Sequence, residues 1–260
     1  MELSKYFRTA PMYYWTLSLL ILMASVSSYY RGQLPTNLVI SFLVASSLDM
    51  LMRKFFAKKP LSFPYSGAIT GTIIGSIAPF VSSPLVVVTA SIVAILSKYF
   101  IKIRGNHIFN PATLGLLVAL SIFSLGDEWW AAGSYNTAGY IITLTPLLVI
   151  ANYKAIKLGV SIPFLVTVAL LSLVTGFIPL TLSISGISGF FFALPFYFGF
   201  IMVSEPKTSP YKRNEQIVFG IAVAVLMFVL SFYNVKYALL LGLLACNLMY
   251  GIYRNLTKRI

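Results

Sequence analysis

The stretch PLVVVTASIVAILSKYFIKIRGNHIFNPATLGLLVALSIFSLG, residues 84–126, decides the architecture. Two apolar runs, near 84–101 and 110–126, flank a short piece carrying Lys102 and Arg104, with Lys98 at the adjoining end of the first run. A helix needs about 20 mostly apolar residues to cross the hydrocarbon core, and somewhat fewer if the span is short or broken. Each run reads as a membrane span, and the cationic piece as a loop on one membrane face. Working outward, eight further runs fit: 12–30, 36–52, 66–81, 138–152, 159–178, 185–203, 215–233 and 236–253. The third is short and rich in Gly, Ser and Thr. The first follows Lys5 and Arg8, yet its apolar stretch is longer than a signal peptide's, so it reads as a retained helix.

Charge tests this division independently. The chain has 19 Lys and Arg. With pieces numbered from the N-terminus, all of them except Arg31 and Lys236 fall in the odd-numbered exposed pieces. That is the positive-inside pattern of an even number of spans with both termini in the cytoplasm. An error in the span count at mid-chain would scramble the alternation.

Composition agrees. Of 260 residues, 58% are hydrophobic and 10% charged, with 6 acidic residues and a formal charge of +13. Soluble domains carry about 25% charged residues. The chain is therefore not an ordinary soluble enzyme, a disordered tail or a coiled coil, and its apolar excess argues against nucleic-acid binding. The single Cys246 excludes an intrachain disulfide, and a Cys-based zinc site or iron–sulfur cluster held by this chain alone. The single His107 excludes bis-histidine haem ligation within one chain. The expectation is one all-α integral membrane domain over 1–260, multi-pass in the cell membrane, with ten transmembrane helices.

An internal echo points to an inverted repeat. Ser66-Gly67-Ala68-Ile69-Thr70-Gly71 precedes Ala78-Pro79-Phe80, and Ser185-Gly186-Ile187-Ser188-Gly189 precedes Leu194-Pro195-Phe196. These lie five spans apart, an odd offset that makes a 5+5 repeat run in opposite directions, with short broken helices near a binding site. Recurrent small residues at helix contacts are the alternative.

Three polar stretches resist simple burial in lipid. They are Pro64 to Gly71, Asn106 to Gly115, and Ser204 to Pro210 with the following Gln216 to Gly220. Asn110-Pro111 fits a capped helix start. It equally fits a helix N-terminus facing an anionic or polar group, with Asn106 and Asn110 as amide donors. Thr208 and Ser209 either cap the ninth span or bind ligand oxygens. Glu205 beside Lys207 reads as a solvated pair. Asp49 four residues before Arg53 reads as an (i, i+4) pair, with a proton or cation site as the alternative. His107 reads as a capping or interfacial residue. Asp127, Glu128, Trp129 and Trp130 form an outer loop whose tryptophans read as an interfacial belt. Lys98, Lys102 and Arg104 either anchor the end of the fourth span or face an anionic cofactor or partner.

Taken together, these stretches resemble a known family. Its members are the D-type membrane protein of the Rnf electron-transport complex and the B-type membrane protein of the sodium-translocating NADH:quinone reductase. Ser66 to Leu117 is similar to that family's Ser-Ala-x-x-Thr-Gly span, then Lys, then Asn-x-Phe-Asn-Pro-Ala. The matches are Ser66, Thr70, Gly71, Lys98, Asn106, Phe109, Asn110, Pro111, Ala112 and Gly115. Met202 to Gly220 is similar to Met-x-x-x-Asp-Pro-x-Thr-Ser-Pro and Gln-Ile-x-x-Gly, through Met202, Pro206, Thr208, Ser209, Pro210, Gln216, Ile217 and Gly220, with Glu205 in place of Asp. Asn247 falls near a late Asn of the family. The resemblance covers most of the chain after residue 60.

The resemblance implies a ten-helix membrane component with an inverted repeat, and it implies flavin. Family members attach FMN through a phosphoester to the Thr of Ser-Gly-Ala-Thr in an outward loop. That motif is missing here, and the corresponding loop, Gly126 to Asn136, is very short. Ser66-Gly67-Ala68 is followed by Ile69 in a different span, and Thr137 reads as an N-cap. Covalent FMN is therefore not expected; FMN or riboflavin, if bound, is non-covalent. The expected function is a membrane subunit of a redox-driven Na⁺- or H⁺-translocating electron-transport complex. Other membrane and peripheral subunits and the bilayer are its partners. Thr70, Asn106, Asn110, Thr208 and Ser209 are the expected cofactor contacts or polar lining. No residue is expected to be catalytic and no metal is expected. With no NAD-binding Gly-rich fingerprint, the chain is not the NADH-oxidising subunit. A stand-alone transporter or channel for a small solute uses the same features, and a purely structural membrane protein is the third reading.

Overall fold

In a computed structural model of the protein, residues 12–58, 62–103, 105–132, 138–176 and 194–257 are described. They form ten α-helices. These are α1 (Met12–Arg31), α2 (Thr36–Phe55), α3 (Tyr65–Ile77), α4 (Pro84–Phe100), α5 (Pro111–Ile122), α6 (Ala138–Ala155), α7 (Leu158–Thr175), α8 (Leu194–Tyr197), α9 (Arg213–Phe232) and α10 (Ala238–Thr257). A π-helical segment, Phe198–Val203, continues α8. Two short strands, β1 (Lys102–Ile103) and β2 (Asn106–His107), pair antiparallel between α4 and α5. The fold is all-α, as expected. Of the predicted segments, the eighth (185–203) falls within the described residues only over 194–203. Ser185 to Gly189, the second half of the internal echo, and Thr137 lie outside them.

Three helices, α7, α9 and α10, are long and apolar enough to cross a membrane. Helices α4 and α5 are apolar but shorter. The exterior of α7 is apolar to its end: Leu173 is 80% and Val174 83% exposed. Water-exposed apolar surface of this extent marks a face that meets lipid or another protein.

Local sequence sets the helix ends. Ser83 caps α4, its Oγ accepting from the Leu85 amide at 3.4 Å, with Pro84 at the first helical position. Helix α3 stops after 13 residues where Ala78 turns extended ahead of Pro79. Helix α7 ends on Gly176, left-handed at φ +65°, a conformation glycine adopts without a Cβ penalty.

Helix α2 packs on α3 and α4, α4 on α5, α7 on α9, and α9 on α10. Helix α1 touches α3 and α6, and α5 touches α10, so one core cluster runs through both halves. Small residues set these approaches: an added Cβ at Gly71 would meet the Ser41 carbonyl, and one at Gly220 the Val160 carbonyl.

The loop after α5 corrects one expectation. Trp129 and Trp130 are buried rather than forming an interfacial belt. Trp130 Nε1 donates to the Gly75 carbonyl at 2.7 Å, and Trp129 Nε1 donates to Asp127. Glu128 pairs with Arg31 at 2.5 Å and accepts from the Phe80 amide at 2.6 Å. The aromatic surface fills the gap left by the early end of α3, which offers more than an interface position does.

Candidate functional site

Three polar stretches far apart in sequence come together where α3 and α5 begin and the π segment ends. The centre is Asn110. Its side-chain oxygen accepts from the Thr113 amide at 3.1 Å and caps α5, as the Asn-Pro pair predicts. Its Nδ2 donates to the Met202 carbonyl at 3.2 Å. Its own amide donates to Asn247 Oδ1 at 3.0 Å. One buried residue, through its side chain and its backbone amide, thus joins α5, the π segment and α10. Asn110→Ala removes a cap, worth about 1 kcal/mol, and takes one of its hydrogen bonds from the Met202 carbonyl, which keeps the Glu205 amide at 3.3 Å, about 1 kcal/mol more. A loss of about 2 kcal/mol in unfolding free energy is expected in detergent. Asn110→Asp keeps the capping oxygen but turns a buried carboxylate oxygen toward the Met202 carbonyl, so it is expected to lose at least as much.

The β1–β2 turn places the next group. Gly105 sits at φ +79° in that turn, and His107 pairs across from Lys102. His107 is therefore buried, not interfacial, with Nε2 at 3.3 Å from Glu205 Oε1. Glu205 also accepts from Thr208 Oγ1 at 3.0 Å, and Ser209 Oγ donates to its carbonyl at 2.7 Å. Thr208 and Ser209 do not cap α9, whose N-cap is Lys212 without a side-chain bond. They stiffen the loop that carries Glu205. Glu205 is tied into the protein rather than forming a solvated pair with Lys207.

Asp49 departs from its expected partner as well. It is 1% exposed and takes Lys98, not Arg53: Lys98 Nζ lies 2.8 Å from Asp49 Oδ1. Tyr99 OH donates to the same oxygen at 2.9 Å. Arg53 reaches Ser62 Oγ at 3.0 Å instead. An added Cβ at Gly67 would fall 2.6 Å from Asp49 Cβ, so α3 lies directly over this carboxylate.

Two adjoining cavities result. The inner one holds about 90 Å³ of water-reachable space, with Thr70, Asn110, Asn152, Ser204 and Glu205 among its walls. Thr70 Oγ1 donates to the Ser66 carbonyl at 2.8 Å. The outer one holds about 440 Å³, with Asp49, Arg53, Lys98, Lys102, Asn106 and His107 among its walls. Tyr13, Ser66 and Lys207 line both. Of the expected site residues, Thr70 and Asn110 thus line the inner cavity and Asn106 the outer. Thr208 and Ser209 stand behind Glu205, off both walls.

Several groups escaped the sequence reading. The π segment's wider turns leave carbonyls in need of donors. Asn152 Nδ2 donates to the Phe200 carbonyl at 2.7 Å, and Ser161 Oγ to the Gly199 carbonyl at 3.0 Å. Lys157, fully buried, donates to the carbonyls of Ser209 at 3.0 Å and Pro210 at 2.6 Å, with Nζ 3.7 Å from the Tyr211 ring centre. Burial pushes its pKa down to about 8, against the opposing pull of Glu205, so it remains a cation at neutral pH. Gln216 Nε2 donates to the Pro210 carbonyl at 3.1 Å. Only Gln216 carried a sequence signal, through its motif. Among the described residues, no group of three or more His, Cys, Asp or Glu side chains could hold a metal ion.

No protein-family model matches the chain, and no curated protein matches it either.

Proposed function

We propose that the chain is a membrane subunit of a redox-driven ion-translocating electron-transport complex, moving Na⁺ or H⁺. The observation that carries this reading is convergence. The stretches that resemble the Rnf and quinone-reductase membrane proteins, Ser66 to Gly71, Asn106 to Gly115 and Met202 to Pro210, supply walls and braces of one pair of cavities. A concave pocket with a few converging polar groups is the usual form of a small-molecule site.

On this reading the chain crosses the cell membrane ten times, with both termini in the cytoplasm. Helix packing supports a 5+5 inverted repeat: α2 lies on α4 as α7 lies on α9, and α4 on α5 as α9 on α10. Broken elements then meet near the repeat interface, where α3 begins and the π segment ends beside the inner cavity. A flavin, FMN or riboflavin, is held non-covalently, with Thr70, Asn106 and Asn110 on the cavity walls and Thr208 and Ser209 fixing the loop beside them. The missing Ser-Gly-Ala-Thr motif leaves no covalent attachment. Bound flavin would supply one- and two-electron chemistry, while the protein binds and orients it. Electrons enter and leave through partner subunits, since this chain holds no cysteine set for a cluster.

The interrupted helices around a cavity equally favour a second reading, a stand-alone small-solute transporter. Gentle extraction from native membranes separates the two. Co-purification of subunits carrying iron–sulfur clusters is expected; a chain that extracts alone and moves solute in liposomes contradicts the complex. Topology is tested in a Cys246→Ser background. Val81→Cys is expected to react with an impermeant maleimide in intact cells, and Lys58→Cys only after permeabilisation. The reverse pattern contradicts the assigned orientation.

A further inference from the structure

The outer cavity has a charge imbalance that an uncharged flavin such as riboflavin would leave unanswered. Five basic side chains face it: Arg53, Lys98, Lys102, Lys207 and His107. Asp49 answers Lys98 at 2.8 Å, and Glu205 answers His107 at 3.3 Å. Among the described residues, no carboxylate lies within ion-pair distance of Arg53, Lys102 or Lys207. Lys207 is also close enough to Lys98 for mutual repulsion. Arg53 donates through Nη2 to Ser62 Oγ at 3.0 Å and through Nη1 to the Phe63 carbonyl at 3.5 Å, which leaves three of its five N–H donors for a ligand. The space they surround, about 440 Å³, admits a polyatomic anion.

We propose that the outer cavity binds a phosphomonoester group through Arg53, Lys102 and Lys207, whether a soluble molecule or a lipid such as phosphatidic acid carries it. The chemistry selects phosphate over a single carboxylate. Three uncompensated cations call for more than one negative charge, and a phosphate monoester carries about −1.5 to −2 at neutral pH. Arg supplies a planar fork of donors to phosphate oxygens, and Lys a mobile point charge. Lys98 is not free to serve, because Asp49 holds it; it is the fixed floor of the site. The anion would also relieve the repulsion between Lys207 and Lys98. This inference goes beyond the redox reading and does not depend on it, since a transporter on the same scaffold would keep the site.

The test uses the full chain in an uncharged detergent, titrated calorimetrically with inorganic phosphate at constant ionic strength balanced with chloride. Saturable binding is expected, weakened at least tenfold by the double substitution Arg53→Gln/Lys207→Gln. Lys54→Gln/Lys212→Gln, which removes two cations outside the cavity, is expected to leave it unchanged. If the double variant does not match the parent's melting temperature, Lys102→Gln alone serves the same comparison. Nanodiscs then identify the source. A tenfold loss of apparent phosphate affinity in discs containing phosphatidic acid, relative to phosphatidylglycerol discs matched in surface charge, assigns the site to the lipid phosphomonoester. Equal affinity in both assigns it to a soluble monoester. Absence of saturable phosphate binding, or full retention of it by the cavity variants, overturns the proposal.

Discussion

Lys98→Met is expected to destabilise the protein by about 3–5 kcal/mol, because it strands a buried carboxylate. Asp49 is 1% exposed, and its Oδ2 has no hydrogen-bond partner. With Nζ gone, Tyr99 OH at 2.9 Å is the side-chain donor left on Oδ1. Arg53, four residues along the same helix, is engaged with Ser62 and Phe63 rather than with this carboxylate. The cost comes from the uncompensated charge, not from the missing ammonium itself. The double variant Lys98→Met/Asp49→Asn is therefore expected to recover much of the loss, giving a coupling of about 2 kcal/mol or more in a double-mutant cycle. Thermal or denaturant unfolding of the detergent-solubilised chain checks it. Additive losses in the two single variants would show that the pair does not act as a unit.

Gly115→Val is expected to be of similar size, about 3 kcal/mol, and to lower the yield of folded protein. An added Cβ at Gly115 would meet the carbonyl oxygen of Ala90 and lie 2.8 Å from Ala94 Cβ. Both obstacles belong to α4: one is backbone, the other a methyl with no rotamer to change. The two helices must therefore move apart. Because Asn110 caps the same helix and holds Met202, that separation also pulls on the site. Even Gly115→Ala is expected to register, since the clash begins at Cβ. A Gly126→Ala control, where nothing lies within 4 Å of the added carbon, is expected to be silent. Equal melting temperatures for Gly115→Val and the parent would show that α4 and α5 do not pack this closely.

These two sites show what was legible in the chain and what was not. Apolar run length and turn residues placed most of the helices, because a helix states its own length in its composition. Asn110-Pro111 read correctly as a capped start for the same reason: a cap is a local device, decided within four residues. Asp49 read wrongly as the partner of Arg53. Helical periodicity reports the neighbour on the same helix, whereas Lys98 is brought in by packing from α4, 49 residues away. Trp129 and Trp130 misled similarly, since tryptophan beside acids suits an interface and nothing local announces the gap that α3 leaves. The π segment over Phe198–Val203 has no sequence marker at all. Its freed carbonyls explain why Asn152 and Ser161 are buried, and their roles follow only once the segment is seen. Lys157 counted as one more cation in a loop, though it is a brace for Ser209 and Pro210.

The most direct test of the redox role is the visible spectrum of the full chain, purified with its partners from the native membrane in mild detergent. Flavin absorbance that stays with this chain after partners are stripped, bleaches with dithionite and is released on denaturation is the expected result. Release on denaturation would also establish that the flavin is not covalently attached. A chain without flavin, isolated from preparations in which no associated protein carries a redox cofactor, would contradict the account.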